Sequence, residues 1–158
     1  MKIREYQLTD QQEVLDLILP IQQQEFGIAI TKEDQPDLCQ VNSVYQTGKG
    51  NFWVAEDNGL VVGTIALIDI GAGQGALRKM FVHRDYRGAK QTAKKLLDVL
   101  LQWSREQGLR EIYLGTTSKF LAAHRFYEKN GFVAMQKNQL PPSFPVMKVD
   151  SRFYRYIV

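Results

Sequence analysis

Cysteine is almost absent from this chain. Cys39 stands alone among 158 residues, so no intrachain disulfide can form. With no histidine-containing motif beside it, the thiol reads as buried filler rather than as a nucleophile. A lone thiol fits a reducing compartment. Long apolar runs are also lacking, and nothing approaches the ~18 residues a membrane helix needs. The opening stretch MKIREYQLTD has no apolar leader core. The expectation is a soluble, cytoplasmic protein with no membrane partner. Repeats, low-complexity tracts and interdomain linkers are missing too, which points to one domain over residues 1–158. At 44% apolar and 23% charged residues, a chain of this length buries a core without staples.

The net charge is +3, a mild excess whose placement matters more than its size. Arg78, Lys79, Arg84, Arg87, Lys90, Lys94 and Lys95 fall within one stretch that holds a single acid, Asp85. Such a cluster is either a solvated basic face or a seat for an anionic partner. A nucleic-acid partner is not expected, because no base-reading motif is present and the total charge is small for that task.

Hydrophobic periodicity orders the rest. KIREYQL alternates as a strand. The next stretch repeats Val14, Leu17, Ile18 and Ile21 at helical spacing, with Thr9 or Asp10 as its cap and Pro20 as a kink or break. A shorter helical segment follows before Gly50. NFWVAED and LVVGTIALIDI form a hairpin around Asn58-Gly59. ALRKMFVH is a further strand, and the loop RDYRGAKQT leads into a helix striped by Ala93, Leu96, Leu97 and Leu100 and ended by Gly108. Then come the strand REIYLGTT, a helix SKFLAAHRFYEKN capped by Ser118, the strand GFVAMQK, a Pro-rich loop and the terminal strand SRFYRYIV. The order β-α-α-β-β-β-α-β-α-β-β implies an α/β fold with a mixed sheet and helices on both faces.

Within this order, MFVHRDYRGAKQTAKKLL carries a strand into a Gly-containing loop and then a helix N-terminus. Unpaired N–H groups and the helix dipole at such a point favour phosphate, and Arg87, Lys90, Lys94 and Lys95 add charge. The arrangement resembles the GNAT superfamily of acyl-CoA-dependent N-acetyltransferases. The family's loop reads Arg or Gln, two residues, Gly, one residue, then Gly or Ala, after a strand ending apolar-x-Val. Its later helix bears Phe-Tyr-x-x-x-Gly-Phe, matched here by AHRFYEKNGF. The close resemblance covers Ala76 to Phe132. Lys90 and Thr92 occupy the glycine positions when counting starts at Arg87; with one extra loop residue, Ala93 takes the second.

The resemblance implies a mostly antiparallel sheet of about seven strands, acetyl-CoA as cosubstrate, no metal, and an amine acceptor on a small molecule or peptide. A homodimer is left open. It implies main-chain binding of the acyl and pantetheine groups along Met80, Phe81 and Val82, with a bulge parting that strand from the next. The loop Arg87, Gly88, Ala89, Lys90, Gln91, Thr92 and Ala93 would hold the phosphates, and Ser118 matches a position that often contacts the cofactor. Tyr127 matches the family's general acid toward the departing thiolate, the alternative being a ring packed for its own sake. The general base is unassigned. By type it falls among Glu25, Asp69, His83, His124 and Glu128 or to a chain of waters, with His124 read as a surface residue and His83 as facing phosphate or solvent. Substrate selection is expected from the stretches QQQEFGIAITKEDQPD and NQLPPSFPVMKVD, with Glu25 and Asp34 as attractors of a cationic amine. A non-catalytic acyl-CoA sensor or partner-binding module is the alternative function.

Overall fold

The computed structural model describes residues 1–158. Its strands are β1 (Lys2–Glu5), β2 (Asn51–Asp57), β3 (Leu60–Gly71), β4 (Gln74–Val82), β5 (Glu111–Thr116), β6 (Val133–Met135) and β7 (Arg152–Ile157). Its α-helices are α1 (Gln11–Pro20), α2 (Val41–Val44), α3 (Thr92–Glu106) and α4 (Leu121–Lys129). This is the order that the hydrophobic pattern predicts.

The strands form one seven-stranded sheet in the order β1-β2-β3-β4-β5-β7-β6. Every pairing is antiparallel except β4 with β5. Two hairpins turn on residues in the left-handed region, Asn58-Gly59 and Ala72-Gly73, the backbone that two-residue hairpin loops require. Period-2 alternation sends β2 side chains to both layers. Phe52 and Val54 pack with Val14, Ile18 and Tyr45 on the α1/α2 face, whereas Trp53 and Ala55 pack with Leu96, Leu100 and Tyr127 on the α3/α4 face. Leu96 and Leu100 are wholly buried, so truncating either to Ala costs about 2–5 kcal/mol.

Three local expectations need correction. Cys39 is exposed rather than buried, because it ends a short 3-10 turn from Pro36 whose apolar contact is made by Leu38. Ser118 does not cap α4: the N-cap is Phe120, with no side-chain cap, and the Ser118 N–H donates instead to the Ser151 hydroxyl at 3.0 Å. Asp10 stands at the N-cap of α1 without capping it. Its carboxylate accepts from the Gln7 N–H and from the Arg4 guanidinium.

Pro20 is the last residue of α1, and beyond it Ile21–Glu25 widen into a π-helical turn closed by the Phe26 N–H on the Ile21 carbonyl. Proline supplies no N–H to continue the α ladder. The wider turn brings Gln22 and Phe26 to the cavity described next.

Candidate active site

The parallel β4–β5 pair is short. Only Gln74, Gly75 and Ala76 pair with Glu111, Ile112 and Tyr113. Beyond them the strands part, and a cavity of about 370 Å³ lies between them. Leu77 to Val82 form one wall and Leu114 to Thr117 the other. Along the parted stretch β4 is also irregular toward β3. Between Thr64↔Phe81 and Ala66↔Arg78, β4 advances by one more residue than β3. The extra residue is absorbed at Lys79, a non-glycine with φ of 53°, and the Thr64 hydroxyl donates to the Lys79 carbonyl at 2.7 Å. A bulge of this kind bends a strand and ends regular pairing.

Met80, Phe81 and Val82 all line the cavity. So do Arg87, Gly88 and Ala93 from the loop before α3. Gly88–Lys90 make a 3-10 turn, and Gln91 takes the left-handed conformation before α3 begins at Thr92. That extra turn brings Ala93, rather than Thr92, to the cavity. No side chain caps α3, so its first N–H groups keep no side-chain partner at the cavity's rim, a favourable seat for an anion. Ala89, Lys90 and Gln91 are exposed beside the rim. Thr92 is fully buried and its hydroxyl contacts the Met1 sulfur. Ser118 is exposed and outside the lining. Gly88 has φ of +71°, and a Cβ added there would meet nothing within 4 Å. Its need for glycine is therefore conformational rather than steric.

The basic cluster disperses. Lys94 pairs with Asp98, Lys90 lies over the Tyr86 ring, and Lys79 turns inward with only 6% of its side chain exposed. Its ammonium donates to Gln35 Oε1 at 2.5 Å and lies 3.5 Å from Asp37. Burial pulls the Lys79 pKa down, against the pull of Asp37. Arg87 donates from Nε to the Val82 carbonyl, and both its terminal nitrogens donate to Glu25.

Tyr127 is 5% exposed. Its ring packs against Phe126, Phe132 and Tyr154, while the residue lines the cavity. Its hydroxyl makes one weak contact, with the Met80 sulfur at 3.5 Å. Burial, and then the neighbouring Tyr154, push the hydroxyl pKa well above its ordinary value, so it stays protonated at neutral pH. His124, one turn before it, is buried rather than on the surface. Its Nε2 donates to the Thr117 carbonyl at 2.9 Å, and its Nδ1 has no partner.

None of the five base candidates lines the cavity. Glu25 pairs with Arg87, Asp69 accepts from the Lys49 and Gly71 N–H groups, and Glu128 accepts from the Tyr154 hydroxyl. His83 is exposed and bonded to the Asp85 N–H. Asp34 is turned back onto Thr31. The carboxylate that does line the cavity is Asp150, just before β7. Burial raises its pKa, while the Met147 N–H, Arg78 and Lys79 pull it down. No spacing motif marks Asp150; the only signal was its place in a Pro-rich loop. That loop also contributes Met147 and Val149, and the stretch after α1 contributes Phe26, Ile28 and Ile30. Both stretches expected to select substrate therefore reach the cavity. No group of three or more His, Cys, Asp or Glu is placed to hold a metal, and no helix is long and apolar enough to cross a membrane.

A sheet opened at its single parallel pair, with an uncapped helix N-terminus at the rim and a buried tyrosine in the wall, defines the N-acyltransferase class of folds. The chain belongs to the Acetyltransferase (GNAT) family, whose model matches residues 15–132. It is 34% identical over 103 residues to N-acetyltransferase family 8 member 2 of Rattus norvegicus, covering 62% of this chain and 45% of that protein. It is 32% identical over 123 residues to N-acetylaspartate synthetase of Xenopus tropicalis, covering 75% of this chain and 45% of that one. The chain thus spans about half the length of these curated relatives. Among solved structures, a GNAT-family acetyltransferase from Staphylococcus aureus Mu50 superposes with a TM-score of 0.96 at 43% identity, covering 99% of this chain and 98% of the other.

Proposed function

We propose that this protein transfers an acetyl group from acetyl-CoA to a primary amine of a small molecule or peptide. One observation carries the reading: the exposed edge of β4, the uncapped α3 N-terminus with Arg87, Gly88 and Ala93, and the Tyr127 side chain all line the same cavity. These residues fit CoA. The unpaired stretch of β4 offers main-chain groups to an extended chain such as pantetheine. The rim offers N–H groups and a guanidinium to phosphates.

Acetyl-CoA supplies the acyl carbon and the sulfur leaving group, the amine's N–C bond forming as the C–S bond breaks. Tyr127 holds its proton at the phenol oxygen and donates a hydrogen bond to the developing thiolate. A free thiol has a pKa near ~8.5 and the phenol titrates above it, so Tyr127 keeps its proton and stabilises the thiolate through a hydrogen bond. Asp150 accepts the proton that the acceptor nitrogen loses. Its raised pKa moves a carboxylate toward the range in which a base is effective at neutral pH. The apolar lining from Phe26, Ile28 and Ile30 excludes water from the acyl carbon.

The test is calorimetry with CoA at moderate salt, followed by an amine screen with acetyl-CoA that monitors free thiol. Binding at micromolar to sub-millimolar CoA with turnover of at least one amine supports the reading. Absence of binding at millimolar CoA overturns it. Binding without turnover of any amine transfers the protein to the sensor class.

A further inference from the structure

The cavity carries one charge that acetyl transfer alone does not use, the guanidinium of Arg78. Arg78 lies on the β4 wall at the start of the bulge and lines the cavity. It is half-buried, yet its guanidinium makes no ion pair and no hydrogen bond with any other residue. Its neighbour Lys79 is different, since that charge is met from behind by Gln35 and Asp37. The opposite wall, on the β5 side, carries Asp150. Its Oδ2 accepts from the Met147 N–H at 2.8 Å, while Oδ1 has no protein partner. Room for this carboxylate comes from Gly115 of β5, where an added Cβ would stand 2.6 Å from Asp150 Oδ2. The cavity therefore presents an unpaired cation and a half-satisfied anion on facing walls, close enough that Arg78 influences the ionisation of Asp150. They are not paired with each other.

Resting on the acetyl-transfer reading, we propose that the acceptor is a free α-amino acid with an apolar side chain, its carboxylate held by Arg78 and its amine by Asp150. A half-buried guanidinium without a partner is a seat for a planar anion, which it binds through two parallel N–H donors. An α-amino acid carries both the anion that Arg78 lacks and an amine for Asp150. Phe26, Ile28, Ile30, Met147 and Val149 leave an apolar surface for the side chain. A polyamine or aminoglycoside would bring a second cation against Arg78 and Lys79. A peptide N-terminus would bring a neutral amide where Arg78 presents its charge.

The experiment compares kcat/KM for leucine, methionine and phenylalanine with that for leucinamide, isoamylamine and a Leu-Gly-Gly tripeptide, after CoA binding has been established by calorimetry. Loss of a hydrogen bond to a charged group lowers the ratio by roughly tenfold to a hundredfold. The expected result is leucine above leucinamide and isoamylamine by at least tenfold. In Arg78→Gln that ratio falls to within about threefold, because any change at Asp150 is common to both acceptors and cancels in the ratio. If leucinamide or the tripeptide equals or exceeds leucine, the amino-acid assignment is overturned and acetyl transfer stands. If the preference for leucine survives Arg78→Gln, Arg78 is not the carboxylate's seat. If CoA does not bind, the transfer reading falls and this one with it.

Discussion

Arg87 and Glu25 clasp each other across 62 positions of sequence, both terminal nitrogens of the guanidinium donating to both carboxylate oxygens. Arg87 lines the cavity beside the α3 N-terminus, and Glu25 ends the π turn before Phe26, Ile28 and Ile30 reach the same cavity. On the acetyl-transfer reading, cofactor phosphate and Glu25 would compete for one guanidinium. Both partners are partly exposed, so the pair is worth about 0.2–1 kcal/mol. Glu25→Gln should raise CoA affinity by up to about fivefold by calorimetry. The carboxyl's pKa is depressed, chiefly by the hydrogen bond from Arg87. The clasp is thus present above the ordinary carboxylate range and is lost as pH falls through the lowered value. Variant and native protein should converge in CoA affinity at acid pH. Arg87→Glu should weaken binding more than Arg152→Glu, because Arg152 pairs with Glu128 away from the cavity.

At Gly88 the requirement is on backbone angle. With φ of +71° and open space around the missing Cβ, Gly88→Ala should cost about 1 kcal/mol through the left-handed penalty alone. Gly88→Val should cost more, since a branched side chain resists that region. The loop would relax toward negative φ and turn its N–H groups from the rim. Weaker CoA binding with a melting temperature lowered by only a few degrees is the expected pattern. Unchanged CoA affinity in Gly88→Val would remove this loop from the phosphate site.

Much of this architecture is legible without coordinates because it rests on local signals. Asn58-Gly59 announces its hairpin, and the Leu96, Leu97 and Leu100 stripe announces α3. What stays hidden depends on tertiary contact. His124 looks like a surface residue on a helical wheel, yet its Nε2 reaches the Thr117 carbonyl at the end of β5, a partner that no periodicity reveals. Cys39 looks apolar but ends a turn whose burial is taken by Leu38. Lys79 in the left-handed region contradicts its own propensity, because the bulge needs an extra residue there whatever its type. Asp150 lies in a stretch without periodicity, and its approach to Gly115 is set by how β7 returns beside β5.

Asp150 offers a test in which stability and activity move apart. Its folded pKa is raised, mainly by burial. The folded state then holds the proton more tightly than the unfolded chain, and stability falls as pH rises from the ordinary carboxylate value through the raised one. Above that raised value the cost is fully present. Asp150→Asn removes the charge and keeps an oxygen to accept from the Met147 N–H. Its melting temperature should equal or exceed the native value at pH 7, and the difference should vanish below about pH 4. Acetyl transfer should fall by about a hundredfold or more, with loss of the acid limb in the pH profile of kcat/KM. A native pH profile in this variant would assign the proton to water instead.

Sequence leaves Tyr127 as either a packed ring or an acid, and its environment lets the two be separated. The ring is held by Phe126, Phe132 and Tyr154, contacts that phenylalanine would keep. The hydroxyl's one contact is the Met80 sulfur at 3.5 Å, a weak acceptor whose loss leaves no strong donor or acceptor unpaired. Tyr127→Phe should therefore melt within about 1 kcal/mol of the native protein, on the stable side if anything, because a poorly satisfied buried hydroxyl is removed. CoA affinity should also be unchanged, since the hydroxyl meets the sulfur only as negative charge develops there. The chemical step is different. Losing a general acid costs roughly a hundredfold to ten-thousandfold, so single-turnover acetyl transfer should slow by at least tenfold with KM nearly constant. Acceptors need no change for the effect to appear, because the loss is on the leaving-group side. A thioester with a less basic thiolate, such as an acetylated aryl thiol analogue, should narrow the gap between variant and native protein. An equal single-turnover rate in Tyr127→Phe would leave the residue a packing group and place the thiolate's proton with solvent.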